Sequence, residues 1–243
     1  MKFEKPQKEL MELYRELVLE DDLESFYSFF KQNFNSKYTK TNEGFVFSQK
    51  KNLVHNIDNI EIETSGLVGV DLPSLFVNEG LSKGKTIMSL FQDPLRDRKD
   101  FSLDNKIIVG TPFALHSSLY RNKGMGLFYS GLTSGLLNKF DKVFYSDAVK
   151  VYFEKESNLI GRAAIKVCVN DILQREIDVI KPDVLLLCGG DAKKAISKIK
   201  IPEGTIVKSA PHPSARSSAW HKIGAEDYSY ETRVKMIVDI ANA

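Results

Sequence analysis

The chain of 243 residues is long enough for one large domain or two small ones, and its hydrophobic content of 42% predicts a sizeable core and excludes a disordered chain. The formal net charge of +2 shows no strong basic surplus of the kind that marks many nucleic-acid binders, although a local basic patch can still bind phosphates. Two cysteines, Cys168 and Cys188, cannot form a disulfide framework or supply four thiolates to a zinc or iron–sulfur site.

The setting of the protein is indicated by what the sequence lacks. A low cysteine count is typical of a reducing compartment. The chain opens with no basic-then-apolar leader, and no apolar run reaches membrane-spanning length. We therefore expect a monomeric cytoplasmic protein with no metal site, no cofactor and no membrane partner.

The first third of the chain is polar and predicts helices. Apolar residues recur at helical spacing within residues 4–19. Residues 22–34 predict a second helix, with Asp21 or Asp22 as its N-cap. The stretch that follows is irregular and dotted with glycine. We describe residues 1–80 as a helical and irregular N-terminal extension.

From residue 86 onward, short apolar runs alternate with helical patterns. The runs predict strands at "TIMSLF" (86–91), "VFYSDAVKVYF" (143–153), "DVLLLCGG" (183–190) and "TIVKSA" (205–210). Helical patterns fall at residues 124–139, 159–180, 191–199 and 227–241. Asp191 is the expected N-cap of the third of these helices.

This alternation predicts an α/β fold in which helices cover both faces of a sheet. We expect one domain over residues 1–243, with three α/β/α layers around a central, mostly parallel four-stranded sheet and the N-terminal helical extension beside it. The run "VLLL" is apolar without alternation, as expected for a strand covered on both sides. In such sheets ligands bind beyond the carboxyl ends of the strands, where "QDP", "SDAVK", "GGD" and "HPS" fall.

Asp93 and Phe113 are the first two candidate site residues. Pro94 holds Asp93 in extended geometry, so its carboxylate projects from a rigid turn. Such a group fits a general base or a water-positioning carboxylate, although turn aspartates that bind the local backbone are commoner. Phe113, within "GTPFALHSS" (110–118), fits either a stacking platform for a base or a core residue.

The second predicted strand carries a charged residue. Asp147 lies among apolar and aromatic residues, and a charge inside a strand is costly unless it is paired or at the strand end. Asp147 is therefore either a site residue or a cap beyond a strand that ends at Ser146. Lys150 fits a partner for Asp147 or a phosphate contact.

The last two strand ends carry a glycine pair and a proline-bracketed histidine. The glycines of "CGGDAKKAI" form a tight strand-to-helix turn that permits close packing or close approach of a ligand. His212 lies between two prolines, so it loses little entropy on ordering and can donate to developing negative charge. Ser214 and Arg216 carry groups that bind phosphate, whereas the alternative is a rigid surface loop.

In this order and spacing, the motifs resemble those of the uracil-DNA glycosylase superfamily over residues 84–216. "QDP" resembles the motif whose Asp activates the attacking water, and "GTPFALHSS" the segment whose Phe stacks on the flipped base. "YSDAVK" resembles the second-strand motif of the iron–sulfur-containing branch. "KPDVLLLCGGDAKKAI" resembles the segment before the last motif, and "HPSAR" resembles that motif, whose His stabilises the leaving base.

The resemblance implies a role for each of these residues. Asp93 would position water beside an oxocarbenium-like sugar, and His212 would stabilise the anionic leaving base. The flipped base would contact Gln92, Phe113 and Asp147. The DNA, single- or double-stranded, would contact Lys150, Ser214, Ala215 and Arg216. Ala215 or Arg216 would lie where the superfamily inserts a wedge.

Three departures from the superfamily's pattern bear on the activity. The four cluster cysteines of the iron–sulfur-containing branch are missing, which excludes the cluster. Leu95 stands where the best-known branch has a Tyr that excludes thymine. Asp147 replaces an Asn that reads uracil by both accepting and donating, and an ionised Asp only accepts. It would repel the uracil O4 and better suit an amino group.

The sequence thus predicts a DNA glycosylase of the base-excision repair type, hydrolysing the N-glycosidic bond of a deaminated or altered base such as uracil. The first alternative is a catalytically weak or inactive nucleic-acid-binding member of the fold. A second is an unrelated α/β hydrolase or nucleotide-binding protein, because a fold does not fix its function. The missing phosphate-loop signatures count against this last alternative.

Overall fold

The computed structural model describes residues 2–34, 46–55, 60–62, 66–78, 80, 84–92, 105–153 and 166–243. In chain order, their strands are β1 (Lys2–Glu4), β2 (Val46–Gln49), β3 (Leu53–His55), β4 (Ile60–Ile62), β5 (Leu67–Asp71), β6 (Ser74–Val77), β7 (Thr86–Phe91), β8 (Lys106–Gly110), β9 (Lys142–Asp147), β10 (Val151–Phe153), β11 (Val184–Cys188) and β12 (Ile206–Ala210). The helices are α1 (Lys8–Tyr14), α2 (Glu20–Asn33), α3 (Ser118–Arg121), α4 (Met125–Leu137), α5 (Gln174–Ile180), α6 (Gly190–Ile196), α7 (Ser217–His221) and α8 (Tyr230–Asn242). A 3₁₀ turn spans Pro112–Ala114, and a π-helical segment, Cys168–Leu173, runs directly into α5.

The larger sheet has six strands in the order β1-β6-β9-β7-β11-β12. β9, β7, β11 and β12 run parallel to one another, whereas β6 pairs antiparallel with β9 and β1 pairs antiparallel with β6. Nearly every residue of β7, β9 and β11 is buried, so other parts of the chain cover both faces of these strands. The predicted α/β class is confirmed. The sheet itself is mixed and six-stranded rather than four-stranded, because the N-terminal third supplies two strands.

Residues 2–77 contain more strand than the sequence indicates. They hold β1 to β6 as well as α1 and α2. β2 and β5 belong to a second sheet with the order β10-β5-β8-β2, and β3 pairs with β4. Strands of three to five residues are too short for a hydrophobic period to stand out. For this reason the sequence predicts only helices and irregular structure here.

The N-terminal helices and the larger sheet share one hydrophobic core, which extends from Phe3 to Ala241. Phe3 of β1 stacks on Phe30 of α2, with ring centroids 3.7 Å apart. Both rings also contact Phe76 of β6. These aromatic contacts attach α2 to the antiparallel end of the sheet.

Two predicted helix caps are wrong. α2 begins after Leu19, so Asp21 and Asp22 lie in its first turn. Negative charges there interact favourably with the positive end of the helix dipole. α6 begins after Gly189, so Asp191 also lies inside its helix. Both helices start one or two residues earlier than the sequence predicts.

The helices in the described ranges are all too short or too polar to cross a membrane. No group of three or more His, Cys, Asp or Glu side chains in these ranges is placed to hold a metal ion. Cys168 and Cys188 are buried free thiols. Burial raises the pKa of Cys188 to about 12, so this thiol stays protonated and unreactive near neutral pH.

Candidate active site

The C-terminal ends of the four parallel strands meet at one edge of the larger sheet. Phe91 ends β7 and lies beside Asp147, the last residue of β9, in the strand register. Gly189 follows β11, and its N–H donates to the carbonyl of Ala210 at the end of β12 (3.0 Å). The ring of His212 lies 6.2 Å from that of Phe91, measured between centroids. Polar motifs that are far apart in the sequence are therefore neighbours here.

The "QDP" segment is described only in part. Asp93 lies outside the described residues, so its role beside the attacking water stays a prediction. Gln92 is exposed, and its carbonyl oxygen accepts a hydrogen bond from the Val149 N–H (3.1 Å). The Phe91 carbonyl accepts one from the Ala148 N–H (3.0 Å). These bonds tie the end of β7 to the turn after β9, while the base contact of Gln92 stays a prediction.

Phe113 lies in strained backbone next to the strand ends. Phe113 and Ala114 have φ angles of 59° and 52°, which are uncommon outside glycine. The Phe113 ring stacks on Tyr129 of α4, with centroids 3.6 Å apart and planes 16° from parallel. Phe91 meets it edge-on, with centroids 4.6 Å apart. Strain of this kind concentrates at functional sites, while the stacking of Phe113 on a flipped base stays a prediction.

His212 is held in one tautomer by Ser214. Its Nδ1 accepts a hydrogen bond from the Ser214 N–H (3.2 Å) and lies 2.7 Å from the Ser214 hydroxyl. Because Nδ1 is an acceptor, the neutral ring carries its proton on Nε2. Burial lowers the pKa of His212 from its ordinary value of 6.5, which favours the neutral form at physiological pH. His212 therefore provides a neutral Nε2–H donor.

Gly189 allows His212 to approach the end of β11. Its φ is +102°, a conformation that residues with a side chain rarely adopt. A Cβ placed on Gly189 would lie 3.1 Å from the Cβ of His212, tighter than most real Cβ contacts. Gly189, rather than the glycine pair as a whole, thus serves close packing, and the group that packs there is the candidate catalytic histidine.

The loop after β12 is fastened to α8. Arg233 is 3% exposed, and its guanidinium donates to the carbonyls of Pro213 (2.6 Å) and Ser229 (3.2 Å). The ring of Tyr228 lies 4.1 Å from the guanidinium carbon, and its hydroxyl donates to the carbonyl of Ala215 (2.6 Å). Arg233 and Tyr228 thus bind the loop on either side of Ser214.

The residues after Pro213 reach the surface to different degrees. Ser214 and Arg216 are exposed, whereas Ala215 is half-buried. The Ala215 N–H donates to the His212 carbonyl (2.7 Å), which closes a tight turn, and Arg216 is the N-cap residue of α7. DNA contacts of Ser214, Ala215 and Arg216 stay predictions with which this exposure is compatible.

Asp147 and Lys150 are both buried, with 2% and 0% of their surface exposed. Asp147 is the last residue of β9 rather than a cap beyond it, and its role in reading the base stays a prediction. The Lys150 ammonium pairs with Glu176 of α5 (2.7 Å) and donates to the main-chain carbonyl of Asp147. The ammonium of Lys150 is fully buried, which argues against the predicted DNA contact of this residue; that contact stays a prediction.

The family model described as the uracil DNA glycosylase superfamily matches residues 82–235, which is more than half of the 243-residue chain. The chain belongs to this superfamily. A search of the curated proteins finds no match. The range that matches the superfamily includes all four strand ends and Arg233, and it leaves out α1 and α2.

Sequence patterns do not single out four residues that contact the candidate site residues or the loop after β12, namely Tyr129, Glu176, Tyr228 and Arg233. Glu176 does carry a signal, because it lies on the apolar face of its helix, four residues from both Ile172 and Ile180. Arg233 likewise precedes the buried Ile237 by four residues. The two tyrosines carry no signal, since such aromatics are usually core residues.

Proposed function

We propose that this protein is a DNA glycosylase that hydrolyses the N-glycosidic bond of a deaminated or otherwise altered base. Superfamily membership over residues 82–235 supports this class of reaction. The observation that carries the proposal is the geometry of His212, whose Nδ1 accepts from Ser214 and whose Nε2–H remains for the substrate. Phe113 supports it as an aromatic platform beside that donor.

His212 is suited to the charge that develops on the leaving base. Cleavage of the bond places positive charge on the sugar and negative charge on the departing base. A donor that is fixed before the reaction stabilises this anion without reorganisation, and one such donor typically contributes about 10²–10³-fold to the rate. Ser214 and the close contact with Gly189 fix the His212 ring in this way.

Phe113 is suited to hold a base that has left the double helix. An extruded base is recognised by stacking and by hydrogen bonds to its edge. One face of Phe113 is covered by Tyr129, so a base on the opposite face would extend an existing stack. Stacking on an aromatic ring contributes about 1–3 kcal/mol per base. The rings of Phe113 and His212 are 6.1 Å apart, so one base can contact both.

Asp147 bears on the choice of base. An ionised carboxylate only accepts hydrogen bonds, so we expect it to disfavour the uracil O4 and to favour a base that presents an amino group. Asp147→Asn restores a donor and should shift the preference toward uracil. An unchanged preference in that variant would remove Asp147 from base reading.

The test is a panel of single- and double-stranded oligonucleotides that carry uracil, hypoxanthine, xanthine, mismatched thymine or the amino-bearing 5-methylcytosine, followed by alkaline cleavage at abasic sites. We expect release of at least one base. His212→Ala should slow single-turnover release by about 10²–10³-fold, and Asp93→Asn should also slow it strongly. His221→Ala is the matched control at an exposed histidine of α7 and should change the rate by less than about twofold.

Release no faster than background from every base, and equally slow in Asp93→Asn, contradicts a glycosylase. DNA binding that weakens with salt and survives both His212→Ala and Asp93→Asn would then favour a nucleic-acid-binding member without catalysis.

A further inference from the structure

A fully buried network of charged and polar groups lies next to the turn that carries Asp147. Lys150 Nζ is 2.7 Å from Glu176 Oε2, and neither side chain has any exposed surface. The hydroxyl of Ser146 donates to the same carboxylate oxygen (2.9 Å), and the hydroxyl of Tyr14 donates to Oε1 (2.6 Å). We call Tyr14, Ser146, Lys150 and Glu176 the Lys150 network.

The Lys150 network holds the main chain of Asp147. An ammonium has three N–H donors, and Lys150 directs its donors to the Glu176 carboxylate, the Ser146 hydroxyl and the Asp147 carbonyl oxygen. The lysine side chain thus folds back from the turn onto the end of β9. Rotating the peptide after Asp147 would break a charged hydrogen bond where no water can replace it.

The same turn is also fixed by its neighbouring strands. The N–H groups of Ala148 and Val149 donate to the end of β7, as described above. The carbonyl of Lys150 accepts a hydrogen bond from the N–H of Asp71 at the end of β5 (2.8 Å). With the Lys150 network added, the turn is held on three sides, which fixes the main-chain position from which the Asp147 carboxylate projects.

Stability alone does not account for this network. Replacing a buried ion pair with apolar residues of similar volume is often neutral or stabilising. What an apolar pair cannot supply is a donor to the Asp147 carbonyl. Burial and the neighbouring charge of Glu176 raise the pKa of Tyr14 well above its ordinary value of 10.0, so this residue also acts as a neutral donor.

We propose that the Lys150 network is the positioning device for the base-reading carboxylate, in which Lys150 and Glu176 orient Asp147 and Tyr14 couples helix α1 to that task. The proposal rests on the proposed function, which supplies the ligand, a flipped nucleobase. Lys150 and Glu176 touch no substrate in this arrangement, so they are positioning residues. Because Tyr14 lies outside residues 82–235, the N-terminal third takes part in base selection.

The test compares an apolar replacement of the pair with a surface control at the same helix. Lys150→Met/Glu176→Leu removes both charges and keeps the volume, so this variant should fold. Tyr14→Phe removes one hydroxyl and gives a milder second variant. Arg175→Met is the control, because it removes an exposed ion pair with Glu16 (2.5 Å) that joins α5 to the segment just after α1.

Two readouts are measured for each variant. The first is the single-turnover release rate for each base of the panel, and the second is binding to duplexes that carry the same bases on 2′-fluoro sugars, which resist cleavage. In the double variant, we expect the ratio between the best and second-best base to fall about tenfold, for both the release rate and the binding affinity. Tyr14→Phe should lose about two- to threefold, and Arg175→Met less than about twofold.

Each outcome bears on a different proposal. A folded double variant with the wild-type base ratio overturns the positioning role, and so does an equal loss in Arg175→Met. Wild-type protein that discriminates between bases by binding but releases none overturns the glycosylase function alone. Wild-type protein that discriminates in neither assay overturns both proposals.

Discussion

The two halves of the site, the loop with His212 and the turn with Asp147, are built by opposite means. The loop is partly exposed, and the His212 ring is fixed mostly by its sequence neighbours, since two prolines bracket it and Ser214 lies two positions away. Arg233 of α8 then anchors the loop from outside. The turn is buried and depends on distant partners, since Glu176 lies 26 positions from Lys150 and 162 from Tyr14. A short motif can preorganise a donor, whereas a buried acceptor needs the support of the whole fold.

The largest effect on stability is expected when only one member of the buried ion pair is removed. Glu176→Leu leaves the ammonium of Lys150 buried without its carboxylate, and such a loss costs about 3–5 kcal/mol of unfolding free energy. Adding Lys150→Met should recover most of that cost, because no uncompensated charge remains. Urea denaturation followed by circular dichroism measures both variants. A double variant as unstable as Glu176→Leu alone would show that packing, not charge, sets the cost.

In the partly exposed half, we expect the largest loss of stability at the anchor of the loop on α8. Arg233→Met roughly keeps the volume but leaves the Pro213 carbonyl without its buried donor, which costs about 1–3 kcal/mol. Because the loop can then shift, base release should fall by about tenfold or more at temperatures where the variant is fully folded. The control Arg175→Met should leave both quantities nearly unchanged. Full activity in folded Arg233→Met would show that the prolines alone position His212.

The contact between the loop and the sheet can be tested at two adjacent glycines. Gly189→Ala places a side chain at φ +102° and against His212, a strain of about 1–3 kcal/mol. Gly190→Ala is the matched control, since a Cβ there meets nothing within 4 Å. We expect slower base release only in Gly189→Ala, measured by single-turnover kinetics. Equal rates in the two variants would argue against a steric role for Gly189.

The sequence predicts the parallel strands well and the N-terminal strands poorly, for a physical reason. β7 and β11 are continuous apolar runs bounded by polar turns, so composition alone indicates them. β1 and β6 have three and four residues and become strands only by pairing with each other and with β9. Pairing between distant segments leaves no local signature.

The same division applies to the candidate site. Asp147 lies within a predicted strand and His212 follows another, so the sequence indicates both as residues at the edge of the sheet. Phe113 follows β8, a strand of the second sheet that the sequence does not predict, and only its place between a proline and a polar loop draws attention to it. The burial of Lys150 is not visible in the sequence, because lysines are almost never fully buried unless they are paired. Its burial is decided by Glu176, a partner that the turn itself does not reveal.

The smallest effect expected is the pH dependence of stability caused by His212, which is predicted to be neutral. Burial lowers its pKa in the folded protein, whereas the unfolded chain titrates near 6.5. Between these two values the unfolded state binds more protons, so the stability due to His212 is fully present above about pH 6.5 and is lost as pH falls through the folded pKa. Proton NMR of the imidazole C–H signals, assigned with His212→Asn, should give a midpoint below 6.5. A midpoint above 6.5 would contradict the lowered pKa, and one above about 7 would make His212 a cation near neutral pH, so that full charge rather than a neutral donor would stabilise the leaving base.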